Sequence, residues 1–522
     1  MKQKGVEEVS LVGESVTYLG EGNANLVVAI RDKDLVIRFP KSKFAEKCQD
    51  EKLKAISSYL NLVIRPLLGD RFLNPVSVVK ISLEDLELVK KKVRVERPME
   101  RCVKDIFYPM GILMTDLTRP SQHFSTHGIG STISVELKPK MGFLLPENCS
   151  HPSLCNFCLK QFYKVEQGIT DTLSGYCPLD LFSGNKIRMF SAIKALMRSP
   201  QNNMRIFGDG AILHGKESTE VPRCSKLISQ VIENEDVLAQ VLVTALSSEY
   251  RPDTVHTVNP NEFNPTAIPH LSSKLLAVEK SQKSHSVKSE QQCKVEEDLI
   301  SSSHPNSQTK IYCKANCDII ICSDPAGSNL CRQNRSDESM NNPPRDNRKP
   351  VQKHVCYSKP DAILKKNCGA TRLDSEDELT PGSVLHTILE LQKMNSITDR
   401  QALDILESLI KEGQNLEDLQ NLVIQPAEEL DTELVSESIQ LLRNYILYAT
   451  AKDLSMFITL RKLKNPKGAS LPKITVNNQT YCFSIKIIDL DPKHVHRISK
   501  YVSQKKEWLR SCTQTEYSLF SQ

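Results

Sequence analysis

The sequence predicts an α+β protein whose two folded blocks are separated by a long disordered insertion. Three short apolar β runs, at residues 15–19, 25–30 and 34–39, follow one another near the start of the chain, and two more lie near its end, at 455–460 and 481–490. Stretches with the apolar spacing of amphipathic helices lie between them. The short turn between the second and third runs favours antiparallel pairing, so an antiparallel sheet is expected in each block.

The elements divide the chain into two predicted lobes. Residues 1–118 form the first lobe, in which helical spacing at 43–64 and 82–96 precedes a strand at 112–114. Residues 119–257 together with 379–522 form the second lobe, which opens with a strand at 132–137. Its amphipathic helices are predicted at 185–199, 398–412 and 431–449.

The insertion, residues 258–378, is rich in Ser, Lys, Asn, Gln, Pro and His and has little periodic apolar content. Such a segment buries too little apolar surface to offset the entropy lost on ordering, so we expect it to be disordered. A small folded island around residues 311–331 stays open as an alternative. The cysteines at 313, 317, 322 and 331 match no standard metal module, and we expect them to be thiols without metal.

Charge and cysteine content exclude several classes of protein. The 522 residues include 68 Lys and Arg against 63 Asp and Glu, a net charge of +5 that is too small for a nucleic-acid coat or a polybasic membrane binder. Sixteen cysteines are too few for a disulfide scaffold, and we find neither a signal-peptide core nor a run of about 18 apolar residues. A soluble intracellular protein with reduced thiols is therefore expected.

A glycine-containing segment between the first two β runs is a candidate phosphate loop. Glycines let backbone N–H groups approach phosphate oxygens, although a tight hairpin that needs positive φ would also explain them. Arg38 on the third run supports the phosphate loop, because it is placed like the cation on the third strand of protein kinases. The H-R-D and D-F-G motifs of those kinases are absent. The loop residues are Gly20, Glu21, Gly22, Asn23, Ala24 and Asn25.

Two aspartates at the ends of late β runs form a second constellation. Asp453 immediately precedes the run at 455–460, and Asp489 ends the run at 481–490. If these strands pair directly and antiparallel, both carboxylates meet at one end of the sheet. One acid can then accept a hydroxyl proton while the other holds the Mg²⁺ of a nucleotide, as phosphoryl transfer requires. Simple capping of strand ends is the alternative, and a middle strand at KITV would separate the two acids.

Cations accompany these acids. Lys138 and Lys140 flank Pro139 after an apolar strand, Arg205 follows two asparagines, and Lys493 and Arg497 are spaced to share a helix face. Each cation alone would be read as solvated surface. Together with a phosphate loop and two acids, they indicate a strongly anionic substrate.

In order and spacing, seven segments closely resemble the motifs of the inositol-pentakisphosphate 2-kinase family. The segments are GEGNAN, RPMER, VELKPK, CPLDLFSGNK, PQNNMR, AKDLS and IDLDPK. The resemblance implies a two-lobed inositol phosphate kinase fold that is distantly similar to protein kinases. It also implies in-line transfer of phosphate from ATP to the 2-hydroxyl of inositol 1,3,4,5,6-pentakisphosphate, which gives inositol hexakisphosphate, or phytate. A scaffold of the same fold that binds inositides without catalysis is the alternative. The resemblance also suggests a monomer in the cytoplasm and nucleus.

The resemblance also implies roles for individual residues. Gly20 to Asn25 would form the nucleotide loop, with Arg38 on the phosphates, Asp453 would be the base, and Asp489 the Mg²⁺ ligand beside Asp491. Lys138 would also approach the transferred phosphate. Five phosphates carry on the order of −8 to −10, which requires several converging cations. The implied inositide-binding residues are Arg101, Lys138, Lys140, Lys164, Asn202, Asn203, Arg205, Lys493, Arg497 and Tyr501.

A possible zinc site lies between these motifs. Cys155 and Cys158 have the C-x-x-C spacing of a structural zinc half-site, and His151 and Cys177 are candidates for the remaining ligands. One C-x-x-C pair is weak without a second, so buried or surface thiols without metal remain the alternative.

Overall fold

The computed structural model describes residues 6–44, 49–119, 127–144, 155–215, 221–252, 254–263, 310–313, 319–322, 378–426, 436–465 and 471–520. The chain divides into two compact units. The first comprises Met1–Asn264 and Ser358–Gln522, and the second comprises Pro265–Tyr357. Taken by itself, the second unit contains an antiparallel strand pair, Lys310–Cys313 with Ile319–Cys322.

Fifteen strands are described, and thirteen of them belong to the two sheets of the first unit. In chain order they are β1 Glu7–Glu8, β2 Val16–Glu21, β3 Asn25–Ile30, β4 Leu35–Pro40, β5 Ser77–Lys80, β6 Met110–Thr115, β7 Gly128–Leu137, β8 Met204–Gly208, β9 Ala211–His214, β10 Val255–Thr257, β11 Lys310–Cys313, β12 Ile319–Cys322, β13 Ser455–Leu463, β14 Lys473–Val476 and β15 Gln479–Ile488.

The described α-helices are α1 Gln49–Ser58, α2 Arg65–Leu68, α3 Leu83–Val93, α4 Asn156–Glu166, α5 Pro178–Leu181, α6 Lys186–Arg198, α7 Val221–Ile232, α8 Glu235–Ser247, α9 Val384–Lys393, α10 Asp399–Lys411, α11 Leu416–Ile424, α12 Glu437–Ala451 and α13 Ile498–Phe520. A π-helical turn, Tyr59–Ile64, joins α1 to α2. In the part of the chain that is described, no helix is long and apolar enough to cross a membrane.

The first lobe is a six-stranded sheet in the order β1-β5-β6-β4-β3-β2, antiparallel except for the edge pair β1–β5. Helix α3 covers one face, because Leu86, Val89 and Val93 recur on one side of the helix and pack against Val28 and Phe39 of the sheet. The Ser82 side chain caps this helix by accepting a hydrogen bond from the Asp85 N–H.

The second lobe is built on a seven-stranded sheet in the order β10-β14-β15-β13-β7-β8-β9, antiparallel except for β10–β14. Helix α8 is apolar on nearly every side and is buried along almost its whole length, as expected for a helix inside a core. Helices α10, α11 and α12 form a second core around Tyr445 and Tyr448, to which α13 contributes Ile498.

The predicted direct pairing of the two late β runs is confirmed. β13 and β15 pair antiparallel with Ser455 opposite Ile488, and the KITV segment, β14, lies on the far side of β15. Of the predicted helix at 43–64, α1 covers 49–58 and the π-helical turn covers 59–64. Residues 431–435 of another predicted helix lie outside the described residues.

The folded part reaches a few residues into the range assigned to the insertion. Val258 and Phe263 are buried, and the Phe263 ring lies 5.6 Å from that of Phe190 on α6. Apart from β11 and β12, which lie within the possible folded island, residues 264–377 are outside the described residues.

Candidate active site

The two candidate acids lie at the same end of the second sheet. Asp453 precedes β13 by two residues and Asp489 directly follows β15, and these neighbouring strands pair Ser455 with Ile488 at that end. The Ser455 hydroxyl donates to Asp489 Oδ2 over 2.7 Å. Asp489 has a φ of 61°, a left-handed conformation that is uncommon for a non-glycine residue and that is found at functional sites.

The next strand, β7, brings two lysines to the same place. Leu137 pairs with Met456 of β13, so Lys138 and Lys140 emerge beside the acids. Lys138 Nζ lies 2.7 Å from Asp489 Oδ2 and 2.6 Å from Ser455 Oγ. Lys140 Nζ lies 3.5 Å from Asp453 Oδ1. Each acid is therefore paired with its own lysine.

Asp453 is held between two cations. Lys493 Nζ lies 3.5 Å from its Oδ2 and Lys140 contacts the other oxygen at the same distance. Burial opposes ionisation, but the charges of Lys140, Lys493 and Lys452 outweigh it and lower the pKa of Asp453 to about 2. The side chain is still 46% exposed, so the charged carboxylate is accessible.

Asp489 and Lys138 form a coupled pair. Burial disfavours the charged form of Asp489, yet the charge and hydrogen bond of Lys138 lower the pKa of the acid below its ordinary value. Burial likewise disfavours the charged form of Lys138, but Asp489 and Glu136 raise the pKa of the lysine. Both groups are therefore charged at neutral pH.

Glu136 is a buried residue of this site that we did not predict. It is 3% exposed, accepts a hydrogen bond from Arg205 Nε over 2.6 Å, and lies 3.7 Å from Lys138 Nζ. Its spacing was a usable signal, because residues two apart on a strand share a face and Glu136 stands two residues before Lys138. Glu136 fixes the position of Arg205, one of the candidate inositide ligands.

The glycine loop closes the β2–β3 hairpin, with the Gly22 N–H donating to the Asn25 carbonyl over 2.9 Å. Neither Gly20 nor Gly22 has a positive φ, and a Cβ atom at either position would meet no atom within 4 Å. A turn that needs the left-handed conformation therefore does not explain these glycines. The open space in front of them is what close approach of a phosphate requires.

The Glu21 side chain faces away from this space. It is buried and forms ion pairs with Lys41 and Arg97, the latter with Nε 3.0 Å from Oε1. Although burial opposes it, the hydrogen bonds from Arg97 and Lys41 lower the pKa of Glu21. Arg97, the first residue of RPMER, also donates to Asp105 over 2.7 Å, so its contact with Glu21 anchors this segment to the glycine loop. Because the Glu21 side chain is engaged in this way, only the backbone of Glu21 is available to a nucleotide.

Arg38 connects the two lobes. It lies on β4 of the first sheet, is 9% exposed, and donates from Nη2 to Asp491 Oδ1 over 2.6 Å. A cavity of about 30 Å³ adjoins Arg38, Asp489 and Asp491. Arg38 and the two acids after β15 are thus neighbours in the fold. Gly20 lies two strands from Arg38, because Gly20 on β2 and Arg38 on β4 both pair with Val27 of β3.

A larger cleft of about 190 Å³ opens beside Asp453, and we call it the basic cleft. Six candidate residues line it: Lys140, Lys164, Asn202, Asn203, Asp453 and Tyr501. Two further candidates do not line the cleft but contact residues that do: Lys493 pairs with Asp453, and Arg497 hydrogen bonds to Tyr501. Our expectation that Lys493 and Arg497 share a helix face was wrong, because α13 begins only at Ile498.

Arg101 is placed apart from these residues. It lies in the first lobe, in the 3-10 turn Met99–Arg101, and is exposed. The basic cleft contains residues that we did not predict, among them Lys160, Lys452, Lys505 and Trp508.

Three cysteines of the possible zinc site come together. The sulfur atoms of Cys155, Cys158 and Cys177 lie within 4.8 Å of one another, all three residues are buried, and Cys155 Sγ is 3.8 Å from Cys177 Sγ. Zn–S bonds of about 2.3 Å in a tetrahedron place two sulfurs about 3.8 Å apart, so this spacing fits zinc. His151 lies outside the described residues.

The paired acids with their lysines and the basic cleft lie at one end of the second sheet, and the glycine loop lies in the first sheet. Acids, cations and an open glycine loop are the parts that phosphoryl transfer to an anionic substrate requires. The family model for inositol-pentakisphosphate 2-kinase matches residues 18–507, and the chain belongs to this family.

Curated relatives agree with the family match. The chain is similar to the inositol-pentakisphosphate 2-kinases of Danio rerio (36% identity, 41% of this chain and 47% of the relative), Arabidopsis thaliana (34%, 42% and 57%) and Drosophila melanogaster (25%, 45% and 54%). The matched stretches span about half the length of each relative.

Proposed function

We propose that this protein transfers the γ-phosphate of ATP to the 2-hydroxyl of inositol 1,3,4,5,6-pentakisphosphate. The observation that carries the proposal is the Asp453 carboxylate, which lies between Lys140 and Lys493 at the edge of the basic cleft and at the same sheet end as Asp489. A hydroxyl that reaches Asp453 is thereby brought close to the acid that would hold the nucleotide's metal.

In the proposed in-line reaction, Asp453 accepts a hydrogen bond from the 2-hydroxyl and orients its oxygen toward the γ-phosphorus of ATP. Asp453 takes the hydroxyl proton as the new O–P bond forms and the bond from the γ-phosphorus to the bridging oxygen breaks, so that ADP leaves. Its low pKa keeps it ionised, so the carboxylate can accept the hydrogen bond of the hydroxyl. Lys138 stands 2.7 Å from Asp489 and can neutralise charge on the transferred group. Because the hydroxyl and the transferred phosphate are held in position before the reaction, the transfer needs no covalent intermediate.

The nucleotide would lie against the glycine loop, with Arg38 on its phosphates. Asp489 and Asp491 offer the carboxylate oxygens that Mg²⁺ prefers, and they would hold the metal that offsets the charge of the ATP phosphates. Arg38 pairs with Asp491, so the same contact would align the first lobe with the metal-binding acids.

The basic cleft suits a ligand with many phosphates. Lys140 and Lys164 line it together with the amide side chains of Asn202 and Asn203, and Arg205 is fixed nearby by Glu136. Charge-assisted hydrogen bonds from such groups are stronger than neutral ones. A substrate that lacks a phosphate would leave cations unpaired, which favours the fully substituted ring.

The direct test is to incubate the purified chain with ATP, Mg²⁺ and the pentakisphosphate and to identify the product by ³¹P NMR. Appearance of inositol hexakisphosphate with stoichiometric ADP supports the proposal. Tight inositide binding without any turnover would instead identify a non-catalytic scaffold. Absence of both binding and turnover contradicts any inositide function.

We also propose that Cys155, Cys158 and Cys177 hold a structural zinc ion with His151 as the fourth ligand. The buried thiols and the 3.8 Å sulfur separation support it. Zinc content measured by mass spectrometry should be one ion per chain and should be lost in Cys177→Ser, with a lower melting temperature. Cys482→Ser is the matched control, because Cys482 is also buried but stands apart from this cluster. Metal-free wild-type protein would contradict the site.

A further inference from the structure

The basic cleft has a wall, formed by α4 and α13, that carries the candidate inositide ligands Lys164 and Tyr501 together with residues to which no role has yet been given. Each helix presents four residues at the spacing i, i+3, i+4 and i+7, which places them on one helix face. On α4 they are Phe157, Lys160, Gln161 and Lys164. On α13 they are Tyr501, Gln504, Lys505 and Trp508.

Contacts between the two helices hold this wall together. The Tyr163 hydroxyl on α4 donates to Glu507 Oε1 on α13 over 2.6 Å. Lys160 Nζ lies 5.4 Å from the centre of the Trp508 ring, a cation–π contact that crosses from one helix to the other. The ammonium groups of the wall are therefore carried by two helices in a fixed arrangement.

Positive charge in the cleft exceeds negative charge. Five lysines line it against two aspartates, Asp399 and Asp453. Burial lowers the pKa of Lys140, and the charge of Lys160 contributes to that lowering. Burial also lowers the pKa of Lys452, to which Lys505 contributes. Positive charges that oppose the ionisation of Lys140 and Lys452 are offset when an anion enters between the lysines.

Lys452 also lines the cleft, from the end of α12 and not from the wall. Its Nζ is 4.7 Å from the ring of Tyr448 and 4.5 Å from that of Tyr501. The two rings hold this ammonium beside Asp453, and its charge helps to lower the pKa of the proposed base. Lys452 therefore contacts the wall through Tyr501 and acts on Asp453 through its charge.

We propose that Lys160 and Lys505 form a further phosphate subsite, which holds a ring phosphate of the inositide remote from the hydroxyl at Asp453. Lys140 and Lys493 contact Asp453 and serve the reacting side of the ring, whereas Lys160 and Lys505 lie on the α4–α13 wall. Two compact ammonium groups suit the three oxygens of a phosphate monoester. This subsite rests on the proposed function for the identity of its ligand.

The test compares the double variant Lys160→Gln/Lys505→Gln with Lys506→Gln. Lys506 is an exposed neighbour of Lys505 that is not among the residues lining the cleft. The double variant is expected to raise KM and Kd for the pentakisphosphate about tenfold, with kcat at saturation changed by less than about twofold, because each lysine supplies about threefold in binding. Lys506→Gln should leave both constants near wild type.

Calorimetry with inositol hexakisphosphate separates this proposal from the proposed function. If the wild-type chain shows no turnover but the double variant still binds the hexakisphosphate about tenfold more weakly, the kinase proposal fails and the subsite stands. If the wild-type chain turns over and the folded double variant, checked by its melting temperature, binds as Lys506→Gln does, the subsite is wrong.

Discussion

Replacing Asp453 by Asn is expected to strengthen inositide binding while it abolishes turnover. The carboxylate lies 3.5 Å from Lys140 Nζ and from Lys493 Nζ, so phosphates bound to these lysines lie roughly 6 Å from it. Two unit charges at that separation repel by about 0.7 kcal/mol in water. For two phosphates of about −1.5 each, with salt screening about half, the carboxylate weakens binding by on the order of 1 kcal/mol.

The amide is close in size to the acid but cannot accept the proton, so kcat should fall by about 10²–10⁴ while Kd for the pentakisphosphate falls about fivefold. Calorimetry and steady-state kinetics on the same preparation measure both effects. Asp404→Asn is the control, because Asp404 pairs with Arg400 on the surface of α10. An Asp453→Asn variant that turns over normally, or that binds the substrate more weakly than wild type, would refute the reasoning.

Three further predictions concern groups around the site. Glu21→Gln should lower the free energy of unfolding, measured in urea, by about 3–5 kcal/mol, because the buried Lys41 and Arg97 lose their carboxylate partner. The control Glu84→Gln, at an exposed position, should change it by less than about 0.5 kcal/mol. Equal losses in the two variants would contradict the buried pairing. The pKa of Asp453 is lowered from 3.8 to about 2, so the charge of this carboxylate stabilises the fold above about pH 4, and the stabilisation is lost as the pH falls toward 2. A carboxyl titration by ¹³C NMR with a midpoint above pH 4 would contradict this prediction. Arg38→Gln should raise KM for ATP about tenfold and leave KM for the inositide unchanged, since Arg38 lies with Asp491 on the nucleotide side; an effect on the inositide alone would place Arg38 elsewhere.

The sequence was informative where a local pattern reports directly on geometry. Short apolar runs located β3, β13 and β15. The positions of Asp453 and Asp489 at strand ends predicted their convergence once direct pairing was assumed. Lys138 and Lys140 follow the same reasoning, because a strand that ends beside β13 delivers them to the same edge.

The parts that could not be predicted depend on long-range packing. Nothing local indicates that Glu21 turns inward to meet Arg97, 76 residues away, because a glutamate in a loop is most often solvated. Lys160 and Lys505 each look like a surface lysine on an amphipathic helix, and only the packing of α4 against α13 places both on one cleft.

The order of the second sheet has a consequence for synthesis on the ribosome. β7 pairs on one side with β8, the next strand in the chain, and on its other side with β13, which is synthesised much later. The hydroxyls of Ser134 and Thr459, which hydrogen bond across the β7–β13 pairing, are 325 residues apart. At about 5–20 residues per second, the edge of β7 stays open for roughly 15–60 s during translation. An unpaired edge is a template for intermolecular strand addition. Nascent chains of this protein are therefore most exposed to aggregation after β9 has emerged and before β13 has, an interval in which chaperone binding would be most effective.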